Sequence, residues 1–443
     1  MFGPQMTWIV GIGSLFFVVV LLSVFLFSPQ VFYLSGRNIL RNKRRTTITS
    51  LVICFGLTGL MLLCGFIENA FKTLREGTIT SGLGHVQLYK KGYHVQGVIE
   101  KAKYCIDDYE NIKTILKEDP ILAPEIKMIA AELDFTGLAA SRETSAPCMG
   151  RGVEVDKDFL LSTFDRLVEG EQLSLDGLPD DGLVGKGLSG ALGAKLDGVL
   201  TLLVVTKSGA LNALDMTVRG IVQGAAKEYD DTILKLSLQH AQRLMARKDV
   251  SKIVILLKHT QKTDEMAKRL DEIIKAKNLN IEYKTWVELA QFYHGVRGLY
   301  RGMFIVFLSI IFVVAVLSVL NTMTMSVMER VREIGTLRAL GTSRKSTIKI
   351  FLVEGLMLGV IGALVAIFVT LFIAFMINYV KGGILLPPPP GRTFGYQAYF
   401  DVPEHPWILF FGFLVSMVTC LVSSILPAIK ASKMNIVDAL RHY

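Results

Sequence analysis

The sequence has no signature of the common chemistries. There is no G-x-x-x-x-G-K-[ST] stretch, and the nearest approach, GLVGKGLSGALG, misplaces its lysine for cradling phosphate, so ATP is not bound that way. The seven histidines (His85, His94, His240, His259, His294, His405 and His442) show no H-E-x-x-H or Cys/His ligand spacing, which argues against a metal site. G-x-S-x-G is missing as well. Cysteine is scarce. Cys54, Cys64 and Cys420 lie in apolar runs where a small polarizable side chain simply packs, while Cys105 and Cys148 share one polar block and could pair in an oxidising compartment. The middles of the apolar runs lack charge, which argues against a proton relay or an ion route.

What the sequence has in abundance is apolar length. Of 443 residues 51% are hydrophobic and the mean hydropathy is +0.44, too apolar for a chain that must keep a polar surface. Five stretches, 6–27, 46–67, 302–328, 355–380 and 406–429, are long enough to cross hydrocarbon as helices. The first has no basic leader and no clear A-x-A site after it, so a retained helix is expected rather than a cleaved signal.

Between the second and third stretches lies a block, 68–301, large enough for its own core. Its 32 Lys and Arg stand against 33 Asp and Glu, so the net charge of +9 comes from the membrane flanks and gives no support to nucleic-acid binding. Those flanks orient the chain. Arg37, Arg41, Lys43, Arg44 and Arg45, then Arg330, Arg332, Arg338, Arg344, Lys345 and Lys349, then Lys430, Lys433 and Arg441 fall on one side only if the block and the Pro-rich loop ILLPPPPGRTFGY lie on the other. Short cytoplasmic loops collect Lys and Arg, which puts the block outside.

Within the block, HVQLYKK, KMIAAELDFTGLAAS, VLTLLVVTK, LDMTVRGIVQG and KIVILLKH read as strands, and DDYENIKTILKED, SLQHAQRLMARKD and TDEMAKRLDEIIKAK as helices. An α+β domain with two lobes is expected. The second and third apolar stretches run into it without a proline, as helical stalks. Gly355, Gly359 and Ala363 recur at a spacing that lets membrane helices approach closely.

VREIGTLRAL, between the third and fourth stretches, reads as a short helix. Ile334, Leu337 and Ala339/Leu340 would offer an apolar knob, with Arg332, Glu333 and Arg338 on its rim. Gly341 ends it, and Thr342 or Ser343 caps the next helix. Such an elbow suits either a partner's groove or lipid headgroups.

VMERVREIGTLRALGTSRKSTIKIFLVEG closely resembles the coupling segment of FtsX-like (MacB-type, type VII) ABC transporter permeases. RNILRNKRRT resembles the approach to that family's first core helix, and LPAIKASKMNIVDALRH its C-terminal signature. GHVQLYKKGY, LVGKGLSGALGAKLDGVLTLL and IEYKTWVELAQFY resemble the lipoprotein-releasing LolC/LolE branch.

The resemblance implies a membrane α-helical bundle of four core helices, here with an extra one at 6–27, and a large α+β extracytoplasmic domain. The implied division is an amphipathic approach and first core helix at 36–67, the periplasmic domain with its stalks at 68–301, the second core helix at 302–328, a coupling helix at 329–350, and the last two helices with the Pro-rich loop at 351–443. It implies an inner-membrane dimer with a second copy or paralogue, seated on a separate cytoplasmic ATPase pair that carries the ATP and Mg; this chain would hold no cofactor and catalyse nothing. Glu333, Ile334, Gly335, Leu337, Arg338, Leu340 and Gly341 fall in the ATPase-contacting stretch, through which hydrolysis would be relayed mechanically. Acyl chains would enter between the first two core helices, where Leu57, Met303, Phe304, Phe307, Met323 and Met325 are candidates to line a cavity or simply to pack. Lipoprotein release is the expected activity; a MacB-like exporter of peptides or small molecules and an FtsX-like signalling protein acting on a cell-wall hydrolase are the alternatives.

Overall fold

The structure, a computed structural model, describes residues 15, 19, 29–41, 43–95, 103–163, 165–174, 177–178, 180–224, 227–387 and 396–435. All but residues 15 and 19 of the expected first helix at 6–27, most of the Pro-rich loop and the last eight residues lie outside them. The chain divides into two compact units. One holds Met1–Lys72, Val296–Leu385 and Gln397–Tyr443; the other holds Thr73–Gly295 and Leu386–Tyr396.

Four helices in the described residues are long and apolar enough to cross a membrane: Lys43–Thr80, Gln291–Glu329, Arg344–Val380 and Trp407–Ser432, here the first to fourth spanning helices. The last five residues of the third are wound as a π-helix. The first runs 13 residues past its apolar stretch and the second starts well before its own, so the expected stalks are continuous helix. A lead-in helix, Pro29–Arg41, buries Ser35 and Ile39 and hydrogen-bonds through Ser35 Oγ to the Ile350 carbonyl, 3.1 Å away.

Small residues bring these helices together. A Cβ on Gly355 would collide with Ser424, one on Gly359 would press on Met417 and Cys420, and one on Gly362 would press on Ile53. Ser416 Oγ donates to the Gly359 carbonyl at 2.9 Å. The third helix therefore packs against both the fourth and the first by close backbone approach. At the opposite end from Arg41, Asn69 donates to Asp401 at 3.1 Å and Asn378 accepts from the Phe400 amide at 2.9 Å, pinning the last connection to the first and third helices.

The second unit is built on one ten-stranded mixed sheet. Its strands are β1 (Val86–Lys90), β2 (Ile126–Ala140), β3 (Ser145–Val153), β4 (Arg166–Gly170), β5 (Asp181–Gly185), β6 (Val199–Val205), β7 (Leu211–Gln223), β8 (Ile233–Ser237), β9 (Lys252–Leu257) and β10 (Ile281–Thr285). Their order is β10-β1-β9-β2-β3-β8-β5-β7-β4, with β6 joining β2 to β7; β3 runs parallel to β8 and β5 to β7. Alternation does the sorting: along β6, Leu200, Leu202 and Val204 are buried while Val199 and Val205 face out. The helices Tyr109–Glu118 and Thr263–Ala276 lay Ile112, Leu116, Met266, Leu270 and Ile273 on the same core. That core is continuous from β1 to β7, so the two lobes expected from the sequence are one α+β body. Cys148 is buried in it, Cys105 is buried too, and the two form no disulfide with each other.

His85 closes one end of this sheet. Its Nδ1 accepts from the Leu257 amide at 3.0 Å, and its Nε2 meets Thr260 Oγ1 at 3.0 Å. Burial, helped by the positive charges of Arg75 and Lys127, pushes its pKa down to about 4 from 6.5, because all three disfavour the charged ring. A depressed folded-state pKa gives stability that is complete above pH 6.5 and is lost as pH falls toward 4. The loss should reach ~3 kcal/mol at most. Urea unfolding of the detergent-solubilised protein, followed by fluorescence of Trp286, should show this slope, and His85→Gln should flatten it.

Candidate functional site

The second spanning helix stops at Glu329, and Arg330 leaves the helical region with φ −115°. Nine residues later the elbow helix Val331–Ala339 ends in a tight reversal. The Gly341 amide donates to the Arg338 carbonyl at 3.1 Å and the Thr342 amide to the Leu337 carbonyl at 3.0 Å. Gly341 takes φ +98°, a conformation costly to any residue with a Cβ, which is why glycine stands there. Ser343 then accepts from the Ser346 amide at 3.1 Å and starts the third spanning helix, as the sequence implied.

The elbow has an inner and an outer face. Ile334 packs with Val327, Phe351, Ala428 and Ala431, and Gly335 is buried beside it. Leu337 is 41% exposed and Leu340 80%. The knob read from the sequence is therefore corrected: Ile334 and Gly335 anchor the elbow from within, leaving Leu337, Ala339 and Leu340 as its apolar surface. Arg338 does not stand free on the rim, since its Nη1 donates to the Met434 carbonyl at 2.6 Å and ties the elbow to the end of the fourth helix.

Beneath the elbow runs a chain of charges. Arg41 Nη1 lies 2.6 Å from Glu333 Oε1, Arg330 Nε lies 3.3 Å from Glu333 Oε2, and Arg330 Nη1 lies 3.0 Å from Glu354 Oε2. Ser326 Oγ adds a bond to Glu354 at 3.4 Å, and Arg45 Nη2 reaches Glu329 at 2.8 Å. The lead-in helix, the elbow and three of the spanning helices are all joined by it. The Arg41 hydrogen bond holds the Glu333 carboxyl below the usual carboxylate range. The links are unequal. Arg41 and Glu333 are half exposed, and such pairs contribute about 0–1 kcal/mol. Arg330 and Glu354 have side chains only 9% and 6% exposed, so removing either partner strands a buried charge.

Glu354 and its pairing escaped the sequence reading, because the apolar run was taken to begin at residue 355. The helix begins eleven residues earlier, at Arg344. A single acid one residue before an apolar run that continues into hydrocarbon, with an arginine just before the elbow, was the available signal.

Between the first and second spanning helices lies a groove of about 530 Å³. Ile48, Leu51, Val52, Phe55, Gly56 and Gly59 form one wall; Ile310, Ile311, Val314 and Ala315 form the other. A Cβ on Gly56 would come within 3.1 Å of Ile311, so this glycine sets the approach of the two helices, whereas a Cβ on Gly59 would meet only open space. The six residues expected to line a cavity lie elsewhere. Leu57 and Met323 are turned inward, and Phe304 packs on Phe411 with ring centroids 6.1 Å apart. Met303, Phe307 and Met325 are exposed on faces outside this groove. Helical phase explains the miss for Leu57: 55, 56 and 59 share a face that 57 does not.

Residues 305–436 match the family described as FtsX-like permease C-terminal, and residues 46–273 match the MacB-like periplasmic core domain. The chain is 24% identical to the lipoprotein-releasing system transmembrane protein LolC of Neisseria meningitidis serogroup B, over 92% of this chain and 98% of that one. It is 26% identical to the macrolide export ATP-binding/permease protein MacB of Salmonella paratyphi A, over 50% of this chain and 33% of that one. Among solved structures, the periplasmic region of MacB from Actinobacillus actinomycetemcomitans aligns with 48% of this chain and 94% of its own, at 12% identity and a TM-score of 0.35.

The buried pair makes a sharp expectation. Glu354→Ala should destabilise the helical unit by about 3–5 kcal/mol, while Glu354→Gln combined with Arg330→Met should recover most of that loss. Thermal unfolding read by a thiol-reactive dye, which reports exposure of the buried Cys54, Cys64 and Cys420, measures both.

Proposed function

The chain belongs to the FtsX-like permeases with a MacB-like periplasmic core domain, and from this we propose that it is the inner-membrane subunit of an ABC transporter that a separate ATPase drives to release lipoproteins from the bilayer. It is an ABC transporter permease of the LolC/MacB type. Nucleotide chemistry, with ATP and Mg, belongs to the partner.

The observation that carries the proposal is the elbow with its charge chain. A partner gripping Leu337 and Leu340 pulls on a nine-residue helix that is anchored by Ile334 and linked through Arg330 to Glu354 of the third spanning helix. Because interfaces and packed cores repack between discrete arrangements rather than deform smoothly, a shift there passes to the spanning helices as a unit. In this reading the acyl chains of the cargo pass through the groove between the first two spanning helices, and a second copy or paralogue completes the transporter. Lipoprotein is favoured over a macrolide or peptide because the LolC alignment runs nearly end to end, whereas the MacB alignment covers half of this chain.

Reconstitution with the cognate ATPase in liposomes bearing a fluorescent lipoprotein tests this. ATP should release the lipoprotein to a soluble acceptor, and Leu340→Asp should lower both ATPase co-purification and release at least tenfold with an unchanged melting temperature. Export of peptides or macrolides with no lipoprotein release would replace the cargo, and full activity in the aspartate variant would remove the docking role.

A further inference from the structure

The groove has a charged end. Along the first spanning helix Arg44, Ile48, Leu51, Phe55 and Gly59 fall on one face, at steps of three or four residues. All are exposed, Phe55 to 86%. Below Arg44 the face is apolar and concave, and above it the lead-in helix begins. Arg45 flanks the same end: its Nη2 is held by Glu329, but its Nη1 is buried with no hydrogen-bond partner among the described residues. A buried donor left unsatisfied costs about 1–3 kcal/mol, more when charged, so an acceptor oxygen at that point would be favoured. Arg44 has no acidic partner among the described residues.

The dimensions are those of one lipid tail. From Ile48 to Gly59 a helix rises about 17 Å, half of a hydrocarbon core roughly 30 Å thick. Allowing ~30 Å³ for a methylene, the liquid volume share of a water molecule, about 530 Å³ holds a single chain of roughly 16–18 carbons. The groove starts one turn from the basic end of the helix, the end that the arginine-rich flanks assign to the cytoplasm.

We infer that this groove is a seat for one anionic phospholipid of the cytoplasmic leaflet, its headgroup on Arg44 and Arg45 and one acyl chain between Ile48–Gly59 and Ile310–Ala315. Charge complementarity selects the occupant. A zwitterionic lipid carries the same phosphate but offsets it with its own cation, so it gains less from the guanidinium groups, and a soluble phosphate leaves the apolar trough uncovered. The lipid holds the trough while no cargo is in it, and is displaced when cargo enters. The inference rests on the groove accepting aliphatic chains, as proposed above, but not on the cargo being a lipoprotein.

Native mass spectrometry of the full chain, delipidated and then reconstituted in nanodiscs of mixed phosphatidylglycerol and phosphatidylcholine with identical chains, reads the seat without cargo, ATPase or nucleotide. One phosphatidylglycerol per chain should be retained, with a preference of about fivefold, the share of Arg44, since Glu329 already offsets the charge of Arg45. Arg44→Gln should cut the preference about fivefold. Gly59→Trp should abolish retention by filling the trough, and Val314→Phe fills it from the facing helix should the tryptophan variant not fold. Equal retention of the two lipids, retention untouched by both filling variants, or equal competition by soluble glycerol phosphate would each overturn the inference. Lipoprotein release in the liposome assay stands or falls independently of that result.

Discussion

A single buried ion pair, Arg330 with Glu354, organises the helical unit. Charges are expensive in a low-dielectric setting and persist there only when each is matched, so this pair fixes the register between the end of the second spanning helix and the early turns of the third. The elbow is the link between those two helices, and its position follows from that register. Arg330 also reaches Glu333, and the Phe351 ring lies 5.6 Å from its guanidinium, so the same side chain meets elbow, third helix and core. The outer links, Arg41–Glu333 and Arg45–Glu329, are weak one by one and serve to connect the lead-in and first spanning helices to that fixed point.

Much of the architecture was legible because the signals were long. The second to fifth apolar stretches became four helices, and Gly341, Ser343 and the small residues of the third helix took the roles their chemistry suggested. Strands β1, β2, β6, β7 and β9, rich in branched and aromatic residues, were also visible. β3 was not, because SAPCMGRGV has the glycines and proline of a loop; Gly150 and Gly152 stand there because Phe135 and Ala241 occupy the space a side chain would take. β5 and β8, DGLVG and ILKLS, are short and buried almost throughout, so neither alternation nor length marked them. The site was legible in position and only partly in detail: which elbow residues face inward depends on the fourth helix, more than ninety residues later in the chain.

The groove and the elbow share the second spanning helix. Thr49 and Thr322 hydroxyls lie 2.8 Å apart between the Arg45–Glu329 link and the Gly56–Ile311 contact. The second spanning helix has only 17% of its apolar window buried, against 50% for the first. It is thus the least embedded member of the unit, and the elbow grows directly from its end. In the proposed cycle, the helix that forms one wall of the groove is the one the elbow moves most readily, which couples nucleotide state to groove width without any charge crossing the bilayer.

The claim that motion at the elbow reaches the groove through Arg330 and Glu354 is tested most directly by a distance. Spin labels on cysteines placed at Phe55 and Val313, in a background free of native cysteine, report the groove width in the complex with the ATPase. The account predicts a nucleotide-dependent change of several ångströms that disappears when Glu354→Gln and Arg330→Met are combined, with the ATPase still bound. The same change in the doubly substituted protein would contradict it.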